Sequence, residues 1–276
     1  MRQSSNPAFS SLTKTVARGQ AGMHQYGQNQ YSQQGYGVDP YAAQQQNYRP
    51  MTVDDVVSKT GITLGVIVAF AVVNFGIAAF VSTQMSMLLA IVGAIGGLVT
   101  VLISTFGKKY GSPVITLLYA AFEGLFVGGI SFMFAGFEVA GANGVGLIMQ
   151  AVIATIGVFI GMLWVYKSGA VKVTPKFQRF MTAALVGVLV LALGNLLLSV
   201  FGIGSPLRDG GMISIIFSLV CIGLAAFSFL LDFDQADKLV RAGAPANYAW
   251  GVALGLAVTL VWLYIEILRL LSYFRD

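Results

Sequence analysis

Seven long apolar runs occupy the chain from Gly61 onward, at roughly residues 61–81, 86–106, 113–135, 145–166, 180–201, 211–231 and 249–272. A helix needs about 20 apolar residues to cross a bilayer, and all seven runs reach that length. Only a short "STQMS" turn separates the first two. Membrane strands would read as alternating segments of about ten residues, and these runs are continuous. The pattern predicts an all-α integral membrane protein, a bundle of seven transmembrane helices. Composition agrees, because only 10% of the 276 residues are charged and 57% are hydrophobic. Soluble domains carry about 25% charged residues.

Residues 1–57 differ from the rest. "MHQYGQNQYSQQGYGVDPYAAQQQNY" is rich in Gln, Tyr and Gly and lacks apolar periodicity. Such a segment cannot bury enough surface to offset chain entropy, which predicts a disordered N-terminal tail. No apolar stretch follows the first charges, so a secretory signal peptide is not expected there. Tyr26, Tyr31, Tyr36, Tyr41 and Tyr48 fit either a plain linker or sites of self-association. "MTVDDVVSKTG" reads as a short polar helix leading to the membrane. Residues 58–276 then form the transmembrane domain.

Basic residues set the expected orientation. Arg2, Lys14, Arg18, Arg49, Lys59, Lys108, Lys109, Lys167, Lys172, Lys176, Arg179, Lys238 and Arg241 fall on one side if seven helices alternate. Arg208 falls on the other, and Arg269 and Arg275 lie near the C-terminal end. Cytoplasmic loops collect Lys and Arg, so a cell-membrane protein with a cytoplasmic N-terminus and an extracytoplasmic C-terminus is expected. The net charge of +5 then reports topology rather than nucleic-acid binding.

Ionisable groups inside spans are costly and default to a functional hypothesis. Glu123 lies about ten residues from either end of the third run, near the midplane at a rise of about 1.5 Å per residue. Asp232 and Asp234, in "FSFLLDFDQADKLV", close the sixth run. They fit either an interfacial helix end or an ion mouth. Acids at a helix C-terminus oppose its dipole, a conflict that fades if the helix continues. The two aspartates are about 200° apart on a helix, so only one can face the bundle interior. Glu266 has an easy partner in Arg269 at i+3 and fits a salt bridge as well as a transport role. Glu123 has no basic residue in its own run and must be protonated, paired across helices or facing water. Asn74 and Asn195 are expected to bridge helices. The GxxxG pairs Gly93/Gly97, Gly124/Gly128, Gly157/Gly161 and Gly251/Gly255 allow close helix packing.

Enzyme chemistry is not expected. The runs carry no H-E-x-x-H, G-x-S-x-G or Walker A pattern, and no nucleophile with a base. One cysteine, Cys221, and one histidine, His24, leave no metal site built from those residues. No cofactor is expected beyond transient Ca2+.

"AAFEGLFVGGIS" in the third run, "FSFLLDFDQ" ending the sixth, and "NYAW" with "LYIEILRLL" in the seventh resemble the Bax inhibitor-1-like (transmembrane Bax inhibitor motif, YccA) family. The resemblance covers about residues 61–275, and the opening "SSNPAF" with its Gln/Tyr-rich tail is similar to a divergent actinobacterial branch. It implies a seven-helix fold with a central last helix. It also implies a pH-sensitive calcium leak gated by one acid in span six and one in span seven. The span-six acid maps to Asp234, or to Asp232 if the register slips by two. The span-seven acid maps to Thr259, where this sequence departs from the pattern, and no arginine lies inside span two to pair with the acids. Glu266 lies two turns from Thr259 on roughly the same face.

The resulting expectation is a cytoplasmic cation-attracting mouth at Asp234 and Asp232, with Glu123 as the midplane acid. Protonation of a buried carboxylate changes its charge and its packing, a physical route to pH sensitivity. A leak needs weak binding at several points, which isolated acids provide. The expected partners are the lipid bilayer and Ca2+ or H+. A different class of function is a membrane interaction protein that modulates a membrane protease or a stress response through its tail.

Overall fold

The computed structural model describes residues 49–107, 109–136, 143–202 and 204–274. Residues 1–48 of the expected disordered tail, with His24 and the five tyrosines, lie outside the described residues, as do Lys108 and Arg275; residues 49–57, also expected in that tail, are instead ordered, and the first helix begins at Val53 because of its cap. Among the described residues there are seven helices: α1 Val53–Phe80, α2 Thr83–Phe106, α3 Pro113–Gly136, α4 Asn143–Ser168, α5 Pro175–Val200, α6 Met212–Arg241 and α7 Tyr248–Tyr273. Each is long and apolar enough to cross a membrane.

Local chemistry sets the helix starts. Thr52 accepts a hydrogen bond from the Asp55 amide, and the Asp55 carboxylate accepts one from the Thr52 amide. This reciprocal cap starts α1 eight residues before the apolar run does. "MTVDDVVSKTG" is therefore not a separate polar helix but the lead into α1 and its first turns. Ser82 caps α2 through the Met85 amide, so only two residues separate α1 from α2. Thr174 caps α5, with Pro175 in the first turn where a missing N–H costs nothing.

α7 occupies the centre, as the resemblance implied. Of its span 83% is buried, against 44% or less for any other helix. It packs on α1, α3, α4 and α6, while α5 leans on α6 at the periphery. Two of the four GxxxG pairs make helix crossings. A Cβ on Gly128 would stand 2.3 Å from the Ala71 carbonyl oxygen of α1, and one on Gly124 would stand 2.5 Å from that of Ile67. A Cβ on Gly93 would meet the Phe122 carbonyl oxygen of α3 at 2.4 Å. Gly157 and Gly161 face open space.

Asn74 bridges helices as expected. Its Nδ2 donates to the Ser86 carbonyl of α2 at 3.2 Å and to the Leu125 carbonyl of α3 at 2.6 Å. Asn195 does something else. Its amide donates to Ser205 Oγ at 2.7 Å and accepts from the Leu207 amide at 3.1 Å. It braces the loop that follows its own helix, because that loop folds back within reach.

The chain enters the bundle along the α6–α7 turn. Pro50 and Pro245 form an antiparallel bridge, Met51 N–H donates to Ala244 O at 2.7 Å, and Ala246 N–H donates to Arg49 O at 2.9 Å. Lys59 donates to the Ala246 carbonyl and lies over the Trp250 ring. The segment 49–51 is thus stitched to the turn joining α6 to the central helix.

Candidate functional site

α6 runs on through "DQADKLV" to Arg241, so Asp232 and Asp234 do not end a helix. Lys238 and Arg241 occupy the true last turn, where cations suit the helix dipole. The three acids of this stretch then fan out around the helix. Asp234 pairs with Lys238 at 2.6 Å and lies 3.5 Å from Gln178 Nε2 of α5. Asp237 pairs with Arg241 at 2.9 Å and accepts from the Tyr166 hydroxyl of α4 at 3.4 Å. Asp232 faces the central helix, where the Thr259 hydroxyl donates to its Oδ2 at 2.7 Å.

The structure thus brings Asp232 and Thr259 together. Asp232 has no basic residue against it among the described ion pairs. One turn along α7, a Cβ on Gly255 would have nothing within 4 Å. A further turn along, the Tyr110 ring covers Gly251, whose Cβ would stand 2.5 Å from it. Tyr110 also meets Tyr248 edge-on, with ring centroids 5.4 Å apart. Gly111 makes the approach possible: its φ of +85° suits a residue without a side chain, and a Cβ there would press on the Asn247 carbonyl at 2.8 Å. Burial pushes the Tyr110 phenol up to about 12, and the charge of Asp232 adds to the rise. Tyr110, room beside Gly255 and the Asp232–Thr259 pair therefore follow one another along α7.

Tyr110 is the residue that sequence reasoning missed. Its only signal is an aromatic side chain between two lysines and a Gly-Ser-Pro turn in "KKYGSP".

The other candidate acids lie elsewhere. Glu123 is half-buried on α3, and its Oε2 would stand 2.9 Å from a Cβ on Gly97 of α2, beside the Tyr119 ring. The glycine makes space for the carboxylate between α2 and α3. Glu266 is 3% exposed. Its Oε1 accepts from Arg269 at 2.8 Å, and Arg208 of the α5–α6 loop approaches to 3.9 Å. Its Oε2 has no hydrogen-bond partner. The Arg269 guanidinium also lies over Phe134 of α3. Seven residues separate Glu266 from Thr259, about 10 Å along the axis. Among the described residues, no three His, Cys, Asp or Glu side chains gather into a metal-binding group. The acids instead stand singly at different depths.

A search of the curated proteins finds no match to this chain. A family described as Bax inhibitor 1 like matches residues 6–276. With seven apolar helices around a central last one, the chain is a multi-pass membrane protein that belongs to the Bax inhibitor 1 like family.

Proposed function

We propose that this protein is a pH-sensitive cation leak of the cell membrane, with Ca2+ as the ion, a cytoplasmic N-terminus and an extracytoplasmic C-terminus. The observation that carries this reading is the 2.7 Å hydrogen bond from Thr259 of the central helix to Asp232 of α6. It couples an acid to the helix on which most of the bundle packs. When ionised, Asp232 accepts the Thr259 hydrogen and attracts a cation. When protonated, it loses that charge and becomes a donor itself, which changes its contact with α7.

Thr259 stands where the family resemblance calls for a second acid. A hydroxyl does not titrate here, so the gate carries one proton-dependent charge rather than a coupled pair. Asp234, salt-bridged at the mouth, recruits cations at the cytoplasmic end. Glu123 supplies a further single charge along the path, and Glu266 joins it as the ion-paired partner of Arg269. Carboxylates at separate depths hold Ca2+ weakly, whereas a tight site converges six to eight oxygens on one ion. Weak binding at several points is what conduction requires.

The test is Ca2+ influx into proteoliposomes holding the purified protein, at pH 6 and pH 8. Wild type is compared with Asp232→Asn, Asp234→Asn and Glu123→Gln. The leak reading expects a pH-dependent flux that Asp232→Asn changes most. A correctly folded protein with no flux above empty liposomes refutes it.

A second reading rests on the stitching of residues 49–51 to the α6–α7 turn. The N-terminal tail would then engage a membrane protease or another membrane protein, and the stitched turn would pass that contact to the bundle. Deleting residues 1–48 separates the two, since a leak keeps its flux and an interaction protein loses its partner.

A further inference from the structure

A groove of about 420 Å³ runs between α1 and α4 and reaches through to α3 and the central α7. α1 and α4 each pack on α7, and neither packs closely on the other. The mouth is rimmed by Val68 and Val72 of α1 and by Val145 and Ile156 of α4, all more than half exposed. These side chains belong to the surface that a multi-pass protein presents to lipid. The floor is buried and includes Leu260 and Val261 of α7.

Three hydroxyls reach this groove, and all three are engaged. Ser131 Oγ and Tyr264 OH bond each other at 2.8 Å, and Thr155 donates to its own helix at Ala151 O. The Ser131–Tyr264 bond uses one of the two hydroxyl hydrogens, so the walls keep one free donor at a single point among apolar side chains. Water needs two to four such partners to stay in a cavity, so hydrocarbon is the matching occupant.

The position of the groove narrows the choice. Its α1 wall runs from Leu64 to Phe75 and its α4 wall from Val145 to Ile156. Each covers eleven residue steps, about 16 Å along a helix. That is about half of the roughly 30 Å hydrocarbon core of a bilayer. The lining residues of α3 and α7 run from the middle of those helices into their later halves, and those of α4 from its first turn to its middle. The groove thus extends from the middle of the bundle into the half away from the stitched α6–α7 turn.

We propose that this groove binds one acyl chain of a phospholipid from the leaflet opposite the α6–α7 turn, with the chain lying against the central helix. It wedges α1 from α4 and contacts α7 near the Tyr264–Ser131 tie. This assignment is independent of whether the protein conducts ions.

The test uses the full chain in liposomes doped with a phospholipid that carries a diazirine at mid-chain. After irradiation, adducts are mapped by mass spectrometry. Wild type should label Leu260 and Val261, buried as they are, as well as lipid-facing residues of α5 such as Leu193. Val152→Trp, which fills the groove, should lose the α7 adducts and keep those on α5. Val68→Phe narrows the mouth at an exposed position that tolerates bulk, and should give the same selective loss. Wild type without α7 adducts overturns the proposal, as does unchanged α7 labelling in both folded variants. Labelling of the floor by a water-soluble diazirine, or cross-links there to a second copy of the chain, overturns it too.

Discussion

Thr259 donates its hydroxyl hydrogen to Asp232 Oδ2 at 2.7 Å, joining the centre of α7 to α6 across the core of the bundle. Two turns earlier on α7, the Tyr110 ring lies on Gly251. The carboxylate thus has a neutral donor on the central helix, whose preceding two turns carry the open Gly255 and the ring-covered Gly251. That arrangement makes the chemistry at this point depend on a single acid.

Adding a second carboxylate at Thr259 should change how the site titrates. Thr259→Asp places two acids within contact, and close acids release their protons in two separated steps. We expect flux in proteoliposomes to change over a wider pH range than in wild type, with two inflections. Thr259→Val removes the donor and leaves Asp232 without it, at a cost of about 1–3 kcal/mol. Thermal unfolding in detergent should show that loss as a lower midpoint at neutral pH.

The room beside Gly255 is expected to be part of the path. Gly255→Ala should fold normally, because no atom lies within 4 Å of the new Cβ, and Gly255→Leu, which extends further into that room, should reduce Ca2+ flux in protein that still unfolds cooperatively. Tyr110→Ala should act in the opposite sense by removing the ring over Gly251. Similar fluxes for wild type, Gly255→Leu and Tyr110→Ala would place the path elsewhere.

The two kinds of GxxxG pair should separate in stability. Gly128→Ala forces Ala71 and α1 away from α3, and strain of this kind costs about 1–3 kcal/mol. Gly157→Ala adds a methyl to open space and should leave the unfolding midpoint unchanged or raise it by up to about 4 °C, as Ala favours helix over Gly by up to about 1 kcal/mol.

The start of α6 should weaken in acid. Gly211 supplies no side-chain cap, and Asp209 does the work by accepting from the Gly211 amide at 3.0 Å and Ser214 Oγ at 2.7 Å. The Ser214 bond, then the Gly211 bond, hold the Asp209 carboxyl below its ordinary value. A lowered folded pKa contributes stability that is present above the unfolded value of about 3.9 and is lost as pH falls through the folded one. Asp209→Asn should therefore reduce stability at pH 6 and flatten its dependence below pH 4, measured by thermal unfolding in detergent.

Much of this protein is legible in one dimension. Seven apolar runs had to become seven helices, because runs of that length and composition match a bilayer and little else. The Glu266–Arg269 pair was legible too, since residues at i and i+3 meet on any helix. Asn74 and the close-packing glycines were visible as types. Their partners were not: Gly128 meets Ala71 while Gly157 meets nothing, although both sit in the same motif.

The sequence by itself determined the class of molecule, the number of spans and the short list of acids, because these depend on composition and on spacing within single helices. Only the tertiary structure decided which aspartate faces α7. Asp232 and Asp234 share a helix and similar apolar neighbours, and their roles diverge because α7 lies on one side of α6 and Gln178 of α5 on another. The placing of Tyr110 was decided there as well. A loop residue acquires neighbours only when the left-handed turn at Gly111 lays it on a helix more than 130 residues away, and no local pattern encodes that contact.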